Sequence, residues 1–598
     1  MAIVRVDREA RQIVMHASGA VCRSTQEIVE SDAFARILGA YVARLRAHRS
    51  PLLAGLGVSG LAEGRAESLR GLLDVLRLLT NNPLDRVTGV ADGDGAATPE
   101  RREALHELVE GLYDYWRSYD RFMVAHDEGG VSAAGRPHRD FNQTMETFAM
   151  LVRGLYRDVV ENITGDHPRV YRQVSAGCEV GLVVGHRDWP VPDAYRATLA
   201  GVPFVRHVVI DPPFITDPPT NKRSGEFVEV DDDPIAGLEL DPARWICYPA
   251  VVGPVVVFVY VNQRFIALGS ALANLFEPAT DEQIAAGPDA VYLYGVPPET
   301  LARYGDLPTV FHADREADLL VAAIPCEDRF GYFGYLKKMV LTLHNVVALN
   351  AGRMPFHGAF TRVVLESGAA ANVLIIGDTA AGKSETLEAL RELAGDEISE
   401  LRIVADDMGS LTVDDAGRVA AYGTEIGAFV RLDDLSQGYA FQQLDRAIFM
   451  SPQKTNARVV VPVTSLEEVL HSHQVDICLY ANNYEWVDEA HPVVEPFADA
   501  ETALAVFREG RAMSKGTTTS TGLTSTYFVN VFGATQRREQ HDAIARRVFD
   551  AVFASETFVG QLRTQLGIEG FETKGPQEAA VALLRLIAAR HAQGGSAP

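Results

Sequence analysis

At 598 residues, with 47% apolar and 23% charged residues, the chain can bury several cores and has the make-up of a globular protein. Its formal net charge of −25 excludes general affinity for nucleic acid or anionic membrane, so any anion site must be locally basic. Five cysteines, Cys22, Cys178, Cys247, Cys326 and Cys478, lie scattered without C-x-x-C spacing, which excludes a zinc or disulfide framework and fits a reducing compartment. Residues 1–7 lack the apolar core of a signal peptide, and the most apolar run, 251–261, is too short to cross a bilayer. A cytoplasmic location follows as the expectation.

Residues 1–165 read as a helical accessory domain. Segments 33–45, 66–79, 99–119 and 142–160 carry apolar residues at three- and four-residue intervals, and 92–99 is a loop by its glycine and proline content. Tyr113, Tyr115, Trp116 and Tyr119 read as packing residues. From 166 to 333 the texture becomes β-rich, with strands expected at 205–210, 251–261, 291–293 and 319–324, and this part reads as an α/β lobe on the substrate side. Within it, Thr220-Asn-Lys-Arg-Ser-Gly-Glu-Phe227 is a polar loop offering Arg223.

Residues 334–598 form the expected nucleotide- and metal-binding lobe, closing with helices. It is preceded by Gly331-Tyr-Phe-Gly-Tyr-Leu-Lys-Lys338, where a Lys-Lys pair opens an apolar helix whose first turn would ordinarily favour acidic residues. An anion, or a metal that keeps one lysine neutral, accounts for such a pair. Met354-Pro-Phe-His357-Gly follows, and then the stretch around which the chain is organised, Val373-Leu-Ile-Ile-Gly-Asp-Thr-Ala-Ala-Gly-Lys-Ser-Glu-Thr386. An apolar strand, a G-x-x-x-x-G-K-S loop and a helix in that order make a phosphate-binding loop. Gly377, Asp378, Thr379, Ala380, Ala381, Gly382, Lys383, Ser384 and Glu385 would surround the nucleotide phosphates. Lys383 would reach the β/γ-phosphates, and the Ser384 hydroxyl would hold Mg²⁺. Beyond it, Leu401-Arg-Ile-Val-Ala-Asp-Asp407 is a strand ending in paired carboxylates, placed where a phosphate-loop enzyme handles metal or water.

The order of these motifs resembles the phosphoenolpyruvate carboxykinase superfamily, ATP-dependent branch, over about residues 200–560. Tyr332-Phe-Gly-Tyr-Leu-Lys-Lys338, Met354-Pro-Phe-His357, Gly377 to Ser384 and Val404-Ala-Asp-Asp407 are similar to its successive site segments. Asn456-Ala-Arg458, Ala512-Met-Ser-Lys-Gly516 and Gly522-Leu-Thr524 leading to Phe532-Gly-Ala534 resemble its later ones. The resemblance implies a bilobal α/β core with a phosphate-loop lobe, here preceded by an α-helical domain. It implies Mn²⁺ and Mg²⁺, with ATP ahead of GTP as co-substrate. Lys338, His357 and Asp407, with Ser384 for Mg²⁺, would be metal ligands, and Lys337, Lys338, Lys383, Asp406 and Arg458 catalytic. Arg223, Tyr332, Gly334 and Arg458 would bind the small carboxylate substrate, and Thr524 the nucleotide. The reaction implied is oxaloacetate and ATP giving phosphoenolpyruvate, CO₂ and ADP.

There are departures. Ser384-Glu385, the Asp406-Asp407 strand and the His357-Gly358 pair also resemble HPr kinase/phosphorylase, under which Asp406 or Asp407 would be the general base for a serine hydroxyl of a protein or small molecule. Thr521-Gly-Leu-Thr-Ser-Thr526 lacks the arginine expected near Thr521. That loss leaves a third reading, a nucleotide-binding regulatory protein without turnover. The carboxykinase reading ranks first because a hydroxyl kinase has no evident need for Lys337, Lys338, Arg223 and Tyr332.

Overall fold

The computed structural model describes all residues except 1–2, 18–21, 57, 59, 88–97, 128–136, 379–380, 394–396, 433–434, 436–442, 516–520 and 595–598. Most of the loop expected at 92–99 lies outside the described residues, as does Gly516. The fold is mixed α/β with large mixed sheets. Two compact units divide it: Met1–His186 with Phe204–Phe214, and Arg187–Pro203 with Ile215–Pro598.

In the first unit the helices Asp32–Ala47, Ala66–Leu79, Pro99–Arg117 and Pro137–Thr164 form where the apolar period places them. Ser31 and Thr98 start two of them by accepting hydrogen bonds from Phe34 N and Arg101 N, and Pro99 sits in the first turn, where its missing N–H costs nothing. The segment expected to be wholly helical differs in one respect: strands Ile3–Asp7, Gln12–Ala17 and Asp120–Asp127 lie within it. They run side by side in that order and continue into Val180–Gly185 and Phe204–Ile210. Gln12–Ala17 is buried along nearly its whole length, so it lacks the alternation that marks a half-exposed strand. Its parallel partner, Asp120–Asp127, arrives only after about a hundred residues of crossover.

In the second unit, strands Trp245–Val252, Val255–Asn262, Ala290–Val296, Leu319–Pro325, Val310–Asp314 and Val228–Val230 pair in that order. The single strand expected over 251–261 is a hairpin, closing at Val252↔Val255 around Gly253 at φ 54°. The Gly253-Pro254 turn signal inside a valine run marks the break. A second sheet runs His473–Gln474, Val419–Gly423, Met408–Val413, Met354–Leu365, Ala370–Ile376, Ile477–Asn482, Phe558–Arg563, Val494–Pro496, with Ile398–Ala405 also paired to Met354–Leu365. The phosphate-loop strand Ala370–Ile376 is therefore central, antiparallel to one neighbour and parallel to the other. Helix Phe333–Asn350, buried almost throughout, packs on strands Val255–Asn262 and Ala290–Val296 and on Met354–Leu365. Among the described residues no helix is long and apolar enough to cross a membrane.

Two histidines beneath this framework make its stability depend on pH. Burial holds His344 and His541 down at about 4 against an ordinary 6.5. Above pH 6.5 both states leave them neutral; as pH falls from 6.5 towards 4, the unfolded chain takes up protons that the native state refuses. At pH 5 this removes about 2 kcal/mol per histidine. Denaturant titrations at pH 7 and pH 5 should show the second unit weakened by a few kcal/mol, with the difference reduced in His344→Gln; a flat profile would contradict the burial argument.

Candidate functional site

Three segments of the second unit are stitched together at the end of the central strand. Gly377 N donates to His357 O at 3.1 Å, and Gly358 N donates to Asp407 O at 3.0 Å. These two backbone bonds bring the His357 strand, the phosphate loop and the Asp406-Asp407 turn to one place. The loop sits between strand Ala370–Ile376 and helix Lys383–Leu393. Gly382 has φ 94°, and a Cβ there would lie 2.5 Å from Thr564 Oγ1, so no other residue fits the turn without strain. Gly382→Ala is expected to weaken nucleotide binding by at least ~10-fold through this distortion; unchanged affinity in a calorimetric titration would show that the turn does not shape the site. Thr564 Oγ1 donates to Ala381 O at 2.8 Å and Thr386 Oγ1 to Gly382 O at 2.6 Å, which pins the loop from both sides.

Lys383 is buried and its amine donates to Gly377 O (2.5 Å) and Asp378 O (2.9 Å). Burial lowers its pKa against the pull of Asp407, Asp378, Asp406 and Glu385. Ser384 is exposed at the helix start and Glu385 is half-buried. Thr379 and Ala380 lie outside the described residues. The Thr524 hydroxyl donates to Ala512 O at 3.1 Å across the hairpin of Arg511–Lys515 with Thr521–Ser525. Thr526, two residues further on, reaches the loop instead, with its hydroxyl 3.3 Å from Asp378 Oδ2.

Asp407 is the hub. Its Oδ1 stands 3.0 Å from His357 Nε2, and its Oδ2 accepts from Lys337 Nζ at 2.8 Å. Lys337 also stands 2.9 Å from Glu425 Oε1, in a pair whose alignment falls short of a hydrogen bond. Burial alone would lower the lysine; Asp407 and Glu425 overcome it and raise it. Burial would raise Asp407, but Lys337, the His357 bond and Lys338 hold it well below the usual carboxylate range. Glu425, buried and facing one cation shared with Asp407, is pushed up to about 7, by burial first. Asp406 is half-buried and raised, by burial and then by Asp407.

His357 Nδ1 lies 2.7 Å from Val529 O, an acceptor only, so that nitrogen carries the proton. Nε2 faces Asp407 Oδ1 at 3.0 Å, where a proton on the imidazole or a metal cation bridging the two would satisfy both. Val529 holds its carbonyl there from a strained turn, with Phe528, Val529 and Asn530 at φ 45°, 51° and 64°; for a β-branched residue such a backbone is an outlier that surrounding structure must enforce. Lys338 lies over the Phe532 ring at 4.8 Å, and its amine has no hydrogen bond or ion pair among the described residues. Part of its surface stays open while protein crowds the rest. That crowding, then Arg223 and Lys337, lower its pKa to about 8 against Asp407 and Asp378. Lys338 is thus the amine most easily made neutral, as a lysine metal ligand must be. Among the described residues no three His, Cys, Asp or Glu side chains cluster as a metal site.

The remaining cations face the same ground. Tyr332 is buried at the N-cap of helix Phe333–Asn350, where burial raises its hydroxyl against Arg458, Lys337 and Arg223. A Cβ at Gly334 would lie 2.3 Å from the Tyr332 ring, so glycine lets that ring fold over the helix start. Arg458 lies over Phe429 at 5.4 Å, and its buried Nε has no hydrogen-bond partner among the described residues. Arg223 lies over Phe227 at 4.9 Å and donates to Gly225 O; burial lowers its pKa, and its charge is felt by Lys338 and Tyr332. Glu425 and Phe429 carried no signal in the sequence, because tertiary packing brings them in from Gly427–Arg431 and the turn before it. No protein-family model and no curated protein matches the chain.

Proposed function

We propose that this chain is a nucleotide- and metal-dependent phosphoryl-transfer enzyme of the phosphoenolpyruvate carboxykinase type, with a bilobal core of that kind, converting oxaloacetate and ATP to phosphoenolpyruvate, CO₂ and ADP. One observation carries the reading. Lys337, Lys338, Lys383, Arg223 and Arg458 sit within electrostatic reach of one another or of shared partners, beside a phosphate loop and an Asp407–His357 contact of 3.0 Å. Nucleotide binding alone asks for one lysine; a dianionic keto acid next to a triphosphate asks for the rest.

Lys338, His357 and Asp407 would hold a Mn²⁺-type ion, and Ser384 a Mg²⁺. Such a cation supplies Lewis-acid polarisation of an oxygen and charge for a developing anion. Arg223 grips a substrate carboxylate with its guanidinium fork, and Tyr332 lines the carboxylate side. Lys337, kept protonated by Asp407 and Glu425, fixes the Asp407 carboxylate and contributes positive charge. The enolate oxygen left by loss of CO₂ attacks the γ-phosphoryl, whose charge Lys383 and Arg458 offset.

The raised pKa of Asp406 favours a second reading, in which it takes the proton of a serine hydroxyl on a protein or small molecule. An assay with oxaloacetate, ATP labelled at the γ-position and Mn²⁺ separates the two. Label in phosphoenolpyruvate, lost in Lys338→Ala and His357→Ala, supports the first; label on a serine acceptor and none in phosphoenolpyruvate overturns it.

A further inference from the structure

The first unit contains a feature that phosphoryl transfer does not use. An apolar cavity of about 320 Å³ opens among its helices, walled by Ile37, Leu76, Leu112, Trp116, Phe148 and Leu155. It shares Tyr113 and Tyr156 with a second pocket of about 230 Å³, lined by Arg117, Arg153, Arg157 and Arg172. The two tyrosine rings, which line both the apolar and the basic compartment, stack at 4.1 Å and 11° between planes.

The basic side is preorganised. The carboxylates that line it are occupied: Glu110 accepts from Tyr156 OH at 2.6 Å, Glu161 faces His167 at 2.6 Å and accepts from Tyr171, and Asp114 pairs with Arg117 at 3.7 Å. Among the described residues Arg153 and Arg157 have no carboxylate ion pair of their own; they reach Val174 O (3.2 Å) and Gln173 Oε1 (3.0 Å), and Arg157 lies over the Tyr171 ring at 4.6 Å. The buried Nε of Arg117 has no hydrogen-bond partner among the described residues. The hydroxyl of half-buried Tyr113 has no hydrogen-bond partner among the described residues, and it lies within the electrostatic reach of Arg117, Arg153 and Arg157. The reading of Tyr113 as a packing residue therefore covers its ring but leaves its hydroxyl unexplained.

We infer that this pair of compartments binds one small amphipathic carboxylate of fatty-acid type, its chain in the apolar cavity and its anionic head among Arg117, Arg153 and Arg157. A pocket of this size with apolar walls and a few convergent polar groups fits a small ligand. Guanidiniums suit a carboxylate, and the neutral alcohol of the same chain can accept a hydrogen bond from them but offers neither the charge nor the bidentate pair. Calorimetric titration of the full chain with dodecanoate should show one saturable site, and dodecan-1-ol should bind at least ~10-fold more weakly. Arg153→Gln with Arg157→Gln should bring the two ligands to similar affinity. Leu155→Trp, which fills the apolar side, should abolish both, with an unchanged helical circular-dichroism signal and thermal unfolding transition reporting that the first unit, which carries the cavity, has folded. Equal binding of acid and alcohol to the natural chain, or dodecanoate binding that survives Leu155→Trp, would overturn the proposal. A brominated dodecanoate gives a check free of substitutions: it should quench tryptophan emission from Trp116 in the cavity wall, and saturable binding without quenching would place the ligand elsewhere.

Discussion

Lys383→Ala is expected to remove phosphoryl transfer, lowering kcat by ~10²–10³-fold or more, the range seen when one preorganised charge donor is deleted from a transition state. The amine is buried and bonded to Gly377 O and Asp378 O, so its removal also leaves two loop carbonyls unpaired, at about 1–3 kcal/mol of stability. Lys383→Arg should not rescue the rate, because a planar fork cannot enter a turn closed by Thr564 and Thr386. Steady-state rates and nucleotide titrations on the same sample decide the point. A purely structural role would lower the melting temperature and leave kcat and nucleotide affinity in place.

Asp407→Asn should have the second large effect, on two readouts at once. Among the described residues Lys337 would keep Glu425 as its one ion-pair partner, and His357 Nε2 would lose the carboxylate it faces. Breaking a buried pair costs about 3–5 kcal/mol, and the surviving Glu425 places this case near 3 kcal/mol. Mn²⁺ affinity should fall by more than the ~10–100-fold typical of losing a supporting partner, since Asp407 would be a ligand itself. Glu425→Gln is the control: it removes a carboxylate from Lys337 but leaves the Asp407–His357 contact. A larger Mn²⁺ defect in Glu425→Gln than in Asp407→Asn would contradict the assignment of Asp407.

Local signals made the phosphate loop legible: an apolar strand, two glycines and a helix follow one another within about twenty residues, and all three form. The helices of the first unit were legible for the same reason, since period and caps lie within each segment. Its strands were not, because a strand buried along its length and paired across a long crossover carries no alternation. Within the site, sequence names the Lys337-Lys338 pair but cannot assign its members. Adjacent helical residues point about 100° apart, so only the phase of the buried helix decides that Lys337 meets Asp407 while Lys338 lies over Phe532. Phe429 reaches the site from strand Gly427–Arg431 and Glu425 from the turn before it, and no local pattern encodes the pairing of that strand.

Anomalous diffraction from crystals soaked in Mn²⁺ tests the central claim most directly. A single manganese peak coordinated by the Lys338 amine, His357 Nε2 and the Asp407 carboxylate, with Lys337 still on the opposite oxygen of Asp407, is the predicted result. Manganese bound elsewhere, or none beside His357 at concentrations that saturate turnover, would contradict it.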